Sequence, residues 1–316
     1  MSGGNKYDIN VLNYLTNNYC KIINISPNKN ISSILFFYLK INRIPAQSTL
    51  LIDGLLAFKL SNIVDKLSKK YKVILLIHHP VSFENMKNGK IEFKLKERRI
   101  FSKADSIISV SNSMKKVIQK MLNSKKEINI IKPAVDKIYH NQPPLNTNNK
   151  TLVTTGSIIP RKNIEKCIEV LSKLDDEWKL SIIGKYHIND SYYKKLISFI
   201  NDKNLKHRVT FHDLILNQDD LISILRNSSV YICLSKYEGF GMANLESASL
   251  GLPLIVSELP VFRENLRGYN RKYVKINDTD SIVKAVKETS YTQAIRSNNL
   301  YEWKDVGKKI KRVLYG

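Results

Sequence analysis

Two glutamates, Glu238 and Glu246, flank a short turn that contains Gly239 and Gly241. The turn follows the apolar run Val230–Leu234, which is typical of a buried strand, and leads into a helical pattern. Glycines in such a turn let the backbone approach a ligand closely, and the free N–H groups of a helix start can bind phosphate. The two carboxylates could accept hydrogen bonds from sugar hydroxyls. The spacing therefore fits a site for a nucleotide-linked sugar, and it fits equally a structural turn between two solvated carboxylates.

Two aspartates and three cysteines are of residue types that bind metals, but their positions favour structural roles. Asp278 and Asp280 form a D-x-D pattern, but they directly precede a helical run, so a helix N-cap is the better interpretation. The three cysteines are widely spaced in apolar contexts and have no metal-ligand spacing (Cys20, Cys167 and Cys233). We interpret them as reduced core residues, which predicts a cytoplasmic protein.

The composition predicts a globular protein of two domains. A chain of 316 residues can bury two cores, and 43% hydrophobic with 25% charged residues is an ordinary balance. No run approaches the roughly 18 apolar residues of a membrane-spanning helix. The N-terminal residues lack the apolar segment of a signal peptide.

The net charge of +23 is unusual for a protein of this size. It predicts attraction to anionic surfaces, either an anionic membrane that the protein would touch peripherally or a phosphorylated substrate. Nucleic acid is a weaker interpretation, because the basic residues are not interleaved with aromatic residues as in known nucleic-acid-binding modules.

Helical and strand-like segments alternate along the whole chain, in two successive halves. Continuous apolar strands such as Lys72–His78 are typical of parallel sheets that are covered on both faces. The alternation predicts two doubly wound α/β domains. The strands are predicted at residues 21–25, 48–53, 72–78, 106–110, 128–131, 151–155, 180–183, 208–211, 230–234 and 254–256; helices include 8–17, 31–41, 55–70, 93–102, 113–122 and a basic C-terminal stretch from about 290 to 315.

The N-terminus departs from this pattern. Gly3 and Gly4 precede a helical pattern, whereas in a doubly wound sheet such a glycine turn follows the first, central strand. Only two residues stand before these glycines, so the N-terminal domain is expected to lack its first strand or to form its sheet without it.

Several motifs together resemble the retaining glycosyltransferases of family 4, the glycosyl transferases group 1, which have the GT-B fold. The Glu238–Glu246 segment resembles the E-x7-E signature of that family. Thr155–Asn163 resembles its glycine loop and basic pair. Gly251–Pro253 belongs to the same signature segment, and Ile183–Lys185 and Val209–His212 stand where the family has its next two strands. Weaker similarities precede residue 150, at Gly3-Gly4, His78–Pro80, Ser111 and Lys132–Asp136 (with Ala134 where glycine is usual).

The resemblance implies a domain organisation. It predicts two Rossmann-like domains that face each other across a cleft. The first would comprise residues 1–134, with the C-terminal helix, about 300–316, packed back on it. A linker would follow at 135–149, and residues 150–299 would form the domain that binds the nucleotide sugar.

The resemblance also implies roles for individual residues. Glu246 would accept hydrogen bonds from the ribose hydroxyls, and Glu238 would lie near the hydroxyls of the transferred sugar. Arg161 and Lys162 would bind the diphosphate, although they could instead be the solvated first turn of a helix. His78 would contact the donor sugar or the reaction centre, or could be a buried histidine at a strand end. The remaining residues expected at the donor site are Gly4, Gly239, Phe240, Gly241, Asn244 and Leu245.

The function that follows is a metal-independent, retaining transfer of a sugar from a nucleotide-diphosphate sugar, with no cofactor. The acceptor would be a glycan, a lipid or a protein-linked group. The sequence around Arg161 resembles that of mannosyl-transferring members of the family, so GDP-mannose is preferred to UDP-sugars as donor. One departure is Ser157, where the family often has a second arginine. The alternative function is a GT-B protein that binds as a partner subunit without transferring.

Overall fold

The computed structural model describes residues 3–16, 41–83, 90–123, 126–140, 142, 149–213, 217–289 and 301–316. The chain divides into two compact units. The larger comprises Met1–Lys6 and Ala134–Glu302, and the smaller comprises Tyr7–Pro133 and Trp303–Gly316. The predicted strand at 21–25 and nearly all of the predicted helix at 31–41 lie outside the described residues.

The smaller unit contains a parallel sheet in the order β1-β2-β3-β4. Its central strand β2 is buried at every position from Val73 to Ile77, because helices cover both faces of a parallel sheet. Ile52 of β1 lies opposite Leu75 of β2, so neighbouring strands pair without a gap. The strands are β1 (Thr49–Asp53), β2 (Lys72–Ile77), β3 (Ser106–Ser109) and β4 (Ile128–Ile130).

Helices surround this sheet, and one of the predicted helices is divided in two. The predicted helix at 55–70 is divided at Leu60, whose backbone leaves the helical region (φ −95°, ψ 19°). The described helices of this part are α1 (Gly3–Thr16), α2 (Gly54–Lys59), α3 (Ser61–Lys70), α4 (Lys90–Lys103) and α5 (Asn112–Leu122), with a 3-10 turn at Val81–Phe83.

The first helix begins at Gly3, five residues before its predicted start. The apolar residues at helical spacing, Ile9, Leu12 and Leu15, predict its buried face only in part. Tyr7, Val11 and Leu15 are buried, whereas Ile9 of the predicted face is 41% exposed. The buried residues recur every four positions, which is the helical spacing that keeps them on one face.

The larger unit contains a parallel six-stranded sheet in the order β10-β9-β8-β5-β6-β7. The strand order reverses at β5, which pairs with β6 on one side and with β8 on the other. In open α/β sheets, ligands bind outside the carboxyl ends of the strands at such a reversal. The strands are β5 (Thr151–Thr155), β6 (Lys179–Ile183), β7 (Val209–His212), β8 (Val230–Cys233), β9 (Leu254–Ser257) and β10 (Arg271–Val274).

One strand of this sheet was not predicted from the sequence. Strand β10 is an edge strand whose first three residues, Arg271 to Tyr273, are only half buried. An edge strand needs no continuous apolar run, so the pattern that indicated the other strands is missing here.

Two apolar clusters cover the two faces of the larger sheet, one around Ile168, Leu196 and Val286 and one around Tyr231, Phe262 and Leu250. The N-cap predicted at Asp278 is confirmed, because its Oδ1 accepts a hydrogen bond from Ser281 N at 3.0 Å. The helices are α6 (Ile164–Ser172), α7 (Ser191–Asp202), α8 (Gln218–Arg226), α9 (Met242–Ser249), α10 (Pro260–Asn265) and α11 (Thr279–Thr289), with 3-10 turns at Lys137–Tyr139 and Pro160–Lys162.

The unit boundaries differ from the predicted linker at 135–149. Val135 and Tyr139 are 8% and 1% exposed and belong to an apolar cluster of the larger unit. Val135 and Tyr139 are therefore packed rather than part of a solvated connection, and the larger unit includes the chain from Ala134. The local sequence predicted a linker because its apolar residues stand among many Asn, Pro and Lys residues.

The last described helix, α12 (Trp303–Tyr315), groups with the smaller unit. It buries Val306, Ile310 and Leu314. Gly307 packs so closely on the ring of Tyr14 in α1 that a Cβ atom there would lie 2.2 Å from Cγ of that ring. Among the described helices, none is long and apolar enough to cross a bilayer.

Candidate active site

The glycine turn connects β8 to α9 at the carboxyl edge of the larger sheet. Gly241 is the residue before α9 and has φ +86°, a left-handed conformation that favours glycine. A Cβ atom at this position would also lie 2.7 Å from Cε1 of Phe262. Asn265 holds the turn by donating from Nδ2 to the carbonyl of Phe240 at 3.0 Å. Both conformation and space therefore require glycine at position 241.

Glu238, the first glutamate, is buried between two cations. Its Oε1 lies 2.6 Å from Nζ of Lys162 and 3.2 Å from Nη1 of Arg161. The hydroxyl of Ser235 donates to the same oxygen at 3.0 Å. The side chain of Glu238 is 8% exposed, and those of Arg161 and Lys162 are 16% and 15% exposed. The cations are consequently not the solvated helix turn that the sequence left open.

The charge of Glu238 is strongly stabilised by this surrounding. Burial raises the pKa of its carboxyl group, but the positive charges of Lys162 and Arg161 outweigh burial and lower the pKa to about 2. Glu238 is thus a carboxylate at neutral pH, and the three residues form a compact group with one net positive charge.

Local backbone geometry places the two cations. Arg161 and Lys162 end a 3-10 turn that Asn163 closes with φ +56°, and Nδ2 of Asn163 donates to the carbonyl of Leu234 at 3.1 Å. Lys236 N donates to the carbonyl of Arg161 at 2.8 Å. These bonds tie the basic turn to the segment that leads from β8 into the glycine turn.

Two glycines allow close packing beside Lys162 at the strand ends. Gly156 has φ +133°, and a Cβ atom there would lie 3.0 Å from Nζ of Lys162. A Cβ atom on Gly184 would lie 1.9 Å from the carbonyl oxygen of Gly156. The ends of β5 and β6 therefore approach closely, and the lysine side chain crosses the space above Gly156.

A small pocket lies at the carboxyl ends of β5, β6 and β8, at the reversal of strand order. Its lining combines polar and charged residues with aliphatic ones. The lining residues are Thr154, Thr155, Gly156, Lys162, Ile164, Ile182, Ile183, Cys233 and Ser235. An ammonium group above a glycine turn at this edge is a suitable place for an anion.

Glu246, the second glutamate, lies in α9 and has a different partner. Its Oε1 is 2.6 Å from Nζ of Lys6, and Oδ2 of Asp136 is 2.7 Å from the same nitrogen. The ammonium group of Lys6 also lies 5.1 Å from the ring centre of Tyr139. The side chain of Glu246 is 12% exposed. One cation is therefore shared by two carboxylates.

Because of this sharing, the pKa of Glu246 shifts in the opposite direction to that of Glu238. Burial raises the pKa of the Glu246 carboxyl group, Lys6 lowers it, and the neighbouring Asp136 raises it further, so that the net direction is upward. Burial lowers the pKa of Lys6, but the carboxylates of Glu246 and Asp136 outweigh burial and raise it. Lys6 is therefore protonated at neutral pH.

The other residues predicted at the donor site have mixed surroundings. Asn244 is 1% exposed, and its Nδ2 has no hydrogen-bond partner among the described residues. Leu245 is half buried and packs against the apolar cluster around Phe262. Gly4 lies in the first turn of α1, but its neighbour Gly3 is the glycine that approaches α9, with a Cβ position 3.0 Å from Cβ of Met242.

His78 lies at the end of β2 in the smaller unit, beside two carboxylates. Its Nε2 is 2.8 Å from Oδ1 of Asp8 and 3.9 Å from Oδ2 of Asp53. Asp53 also caps α2 by accepting from Leu56 N at 3.0 Å. Burial raises the pKa of Asp53, the charge of His78 opposes this, and that of Asp8 adds to it. The ring of Tyr7 packs edge-on against His78 with 5.3 Å between ring centres.

The ligand atoms of Asp8, Asp53 and His78 lie within 4.8 Å of one another, a grouping that could hold a metal ion. The short distance from His78 to Asp8 is equally that of a histidine–carboxylate pair, which requires no ion.

Four of these residues were not predicted from the sequence as site residues: Lys6 and Asp136 beside Glu246, and Asp8 and Asp53 beside His78. A signal existed for Asp53, because it is the last residue of the predicted strand at 48–53 and therefore lies at the carboxyl edge of the sheet. Lys6 and Asp8 are on a helix, where their types and spacing indicate only a polar face.

The chain matches the profile of a known protein family. The sequence profile described as Glycosyl transferases group 1 matches residues 135–301, which is more than half of the chain. The chain is 26% identical over 194 residues to the GDP-mannose:cellobiosyl-diphosphopolyprenol alpha-mannosyltransferase of Xanthomonas oryzae pv. oryzae, covering 57% of this chain and 50% of that protein. It is 28% identical over 201 residues to the O-antigen chain mannosyltransferase RfbU of Salmonella typhimurium, covering 63% of this chain and 54% of that protein. The chain thus spans about half the length of these relatives.

Among solved structures, Anabaena HepE in complex with UDP-glucose superposes with a TM-score of 0.77 at 13% identity, covering 99% of this chain and 96% of that one. At this identity the likeness concerns the fold alone. Together with the two parallel sheets, it confirms the predicted α/β fold of GT-B type.

Proposed function

Because the chain belongs to the glycosyl transferases group 1 family, we propose that it is a glycosyltransferase. It would move a sugar from a nucleotide-diphosphate sugar to an acceptor that is a glycan, a lipid or a protein-linked group. The observation that carries this proposal is the group formed by Arg161, Lys162 and Glu238 beside the glycine turn. Its two cations and one carboxylate match the two parts of such a donor, an anionic diphosphate and a hydroxyl-bearing sugar.

In this proposal the diphosphate is bound by Arg161 and Lys162, with the backbone N–H groups of Gly239 to Gly241 and the start of α9. Hydrogen bonds to charged groups contribute roughly 1.5–3 kcal/mol each, and a helix N-terminus adds about 0.3–2 kcal/mol. These groups can neutralise a diphosphate without a metal ion, so we propose a metal-independent site. Glu238 would accept hydrogen bonds from sugar hydroxyls, and Glu246 would accept them from the ribose.

The proposed reaction retains the configuration of the transferred sugar. The bond between the anomeric carbon and the diphosphate oxygen breaks, and a bond to the acceptor oxygen forms on the same face. The proton of the acceptor hydroxyl passes to the leaving phosphate oxygen, which balances the step without a protein nucleophile. Arg161 and Lys162 would stabilise the negative charge that develops on the diphosphate. His78 would contact the donor sugar or the reaction centre.

We propose GDP-mannose as the first donor to test, ahead of UDP-sugars. The support is the sequence around Arg161 together with relatives that are named as mannosyltransferases, one of which is named for GDP-mannose. The same relative has a diphosphopolyprenol-linked acceptor. A lipid-linked acceptor and peripheral contact with an anionic membrane would fit the net charge of +23.

A thermal-shift series tests donor binding. A ligand that binds the native state raises the melting temperature, and we expect GDP or GDP-mannose to do so more than UDP or UDP-glucose. The rise should persist with a chelator and become smaller in Lys162→Ala at the same ligand concentration. The control is Lys284→Ala, whose side chain is 80% exposed on α11.

Release of free nucleotide from the donor then separates the two functional alternatives. Release that increases with a lipid-linked acceptor supports transfer. Binding of a sugar nucleotide without any release, over a panel of acceptors, would instead favour the partner subunit that binds without transferring. No shift with any nucleotide would contradict the site assignment.

A further inference from the structure

Helix α4 of the smaller unit has a charged residue inside and aliphatic residues outside. Glu97 is 2% exposed, and its carboxylate accepts hydrogen bonds from the backbone N–H groups of Val81 and Ser82. On the outside, Ile91 is 77% exposed and Leu95 is 60% exposed. A helix that only had to pack against its own domain would have the reverse arrangement.

The two aliphatic side chains form one stripe along the helix. Ile91 and Leu95 are four positions apart and therefore lie one above the other. Phe101, which is 2% exposed, and Glu97 face the opposite side, towards the core. The stripe is therefore directed away from the unit to which the helix belongs.

Basic side chains surround this stripe. Between residues 91 and 103, the exposed acidic side chain is Glu92, whereas four basic side chains are exposed: Lys94, Arg98, Arg99 and Lys103. The helix therefore presents aliphatic and positively charged groups on the same surface.

The position of the helix is firmly held by its inner side. The rings of Phe93 and Phe58 are 5.2 Å apart edge to face, and Nζ of Lys96 lies 4.3 Å above the ring of Phe58. Arg99 forms an ion pair with Asp65 of α3. The outer stripe is thus presented by a packed element, and docking would need no rearrangement of α4.

We propose that this surface, defined by Ile91, Leu95, Lys94 and Arg98, docks the protein on a bilayer that contains anionic lipids. Aliphatic side chains enter the acyl region while neighbouring Lys and Arg side chains bind the headgroups, which is how interfacial helices bind membranes. A second copy of the chain is a poor occupant, because two such surfaces would bring like charges together. That the same membrane carries the acceptor rests on the proposed function, whereas vesicle binding itself does not.

The test is sedimentation of the full chain with vesicles of phosphatidylcholine, alone or mixed with phosphatidylglycerol. We expect binding to the mixed vesicles that weakens with salt, because anionic headgroups attract the basic side chains. The double variant Ile91→Ser/Leu95→Ser should bind about tenfold more weakly. The matched control is Ile188→Ser, which removes an aliphatic side chain that is 69% exposed in the larger unit.

The charge component has its own pair of variants. Lys94→Gln/Arg98→Gln should weaken binding to mixed vesicles about 25-fold, at about fivefold for each basic residue. Lys195→Gln/Lys284→Gln removes the same charge from side chains that are 68% and 80% exposed in the larger unit. If both double variants lose the same affinity, binding follows net charge alone and the proposed surface is wrong.

A fluorescence measurement shows whether the stripe itself enters the bilayer. Leu95→Trp should gain blue-shifted emission when mixed vesicles are added, whereas Ile188→Trp should not change. Absence of a shift at position 95, or wild-type sedimentation of the Ile91→Ser/Leu95→Ser variant, overturns the proposal. Because all of these positions are exposed, unchanged melting temperatures are expected and are checked in parallel. Nucleotide thermal shifts of these variants should equal those of the wild type, which separates this proposal from the one on sugar transfer.

Discussion

The surroundings of Glu238 and Glu246 differ sharply, although the two residues stand eight positions apart on either side of one turn. Glu238 is one carboxylate between two cations, and its pKa is lowered to about 2 despite burial. Glu246 shares one cation with Asp136, and its pKa is raised. The number of charges around each carboxylate, rather than burial, determines the direction of the shift, since both side chains are mostly buried.

The difference fits a division of work between the two glutamates. The group of Glu238, Arg161 and Lys162 has a net positive charge, as a diphosphate site requires. The group around Glu246 has none, and an acceptor for neutral ribose hydroxyls requires none. Variants that change one group and leave the other intact can therefore test the comparison.

The largest expected effect is on stability as a function of pH. The lowered pKa of Glu238 contributes stability that is fully present above its ordinary pKa of about 4.5 and is lost as the pH falls towards about 2. We expect Glu238→Gln to reduce the free energy of unfolding on the order of 3 kcal/mol at neutral pH and much less at pH 3.

Glu246 should show the opposite trend. Its raised pKa means that the folded state loses stability as the pH rises through that pKa. Glu246→Gln should therefore become less destabilising as the pH increases. Urea unfolding of both variants from acid to neutral pH is the measurement, and parallel trends in the two would contradict the comparison.

The second prediction concerns the diphosphate. Lys162→Ala should weaken binding of a nucleoside diphosphate about 30-fold, since it removes a charge-assisted contact worth about 2 kcal/mol. The nucleoside alone should bind this variant as it binds the wild type. Titration calorimetry with both ligands gives the answer, and an equal loss for nucleoside and nucleotide would place Lys162 elsewhere.

Third, Glu246→Gln should weaken binding of the nucleoside diphosphate about tenfold by removing a charged acceptor. A donor analogue that lacks the ribose hydroxyls should bind the variant and the wild type equally. The control is Asp136→Asn, which removes the other carboxylate of Lys6 and leaves Glu246 paired with it. If Asp136→Asn has the larger effect, Glu246 is a structural partner of Lys6 and not a ligand for ribose.

The smallest effect is expected at Lys6. Lys6→Met removes the one cation that lowers the pKa of Glu246 most, so that this pKa should rise further. We expect about a threefold loss of nucleotide affinity at neutral pH that grows as the pH falls. Lys6→Arg should restore most of the affinity. A pH-independent loss would show that Lys6 acts only through packing on Tyr139.

The elements that apolar runs could define were predicted well. Strand β5 has its predicted bounds. The other strands that consist of a continuous apolar run begin and end within about two residues of their predicted bounds. Elements whose burial depends on neighbours were not. Strand β10 lies at an edge, and the buried face of α1 is set by what it packs against, with Tyr7 inside and Ile9 exposed.

The same division applies to the site. The motifs indicated that Arg161, Lys162 and Glu238 belong to one wall of a site, and the structure places them in direct contact. The sequence could not show that Lys6 would meet Glu246, because the two residues are 240 positions apart and no local pattern connects them.

The sequence alone determined the two α/β halves, the family and the glycine turn between two acids, because strand runs, motif spacing and the conformational requirement of glycine are local properties. Only the tertiary structure decided how the two acids differ. Their charges depend on burial and on the cations that distant segments bring near, and those distances exist only in the folded chain. The same holds for α4, where only packing reveals that Glu97 is inside and that Ile91 and Leu95 face outward.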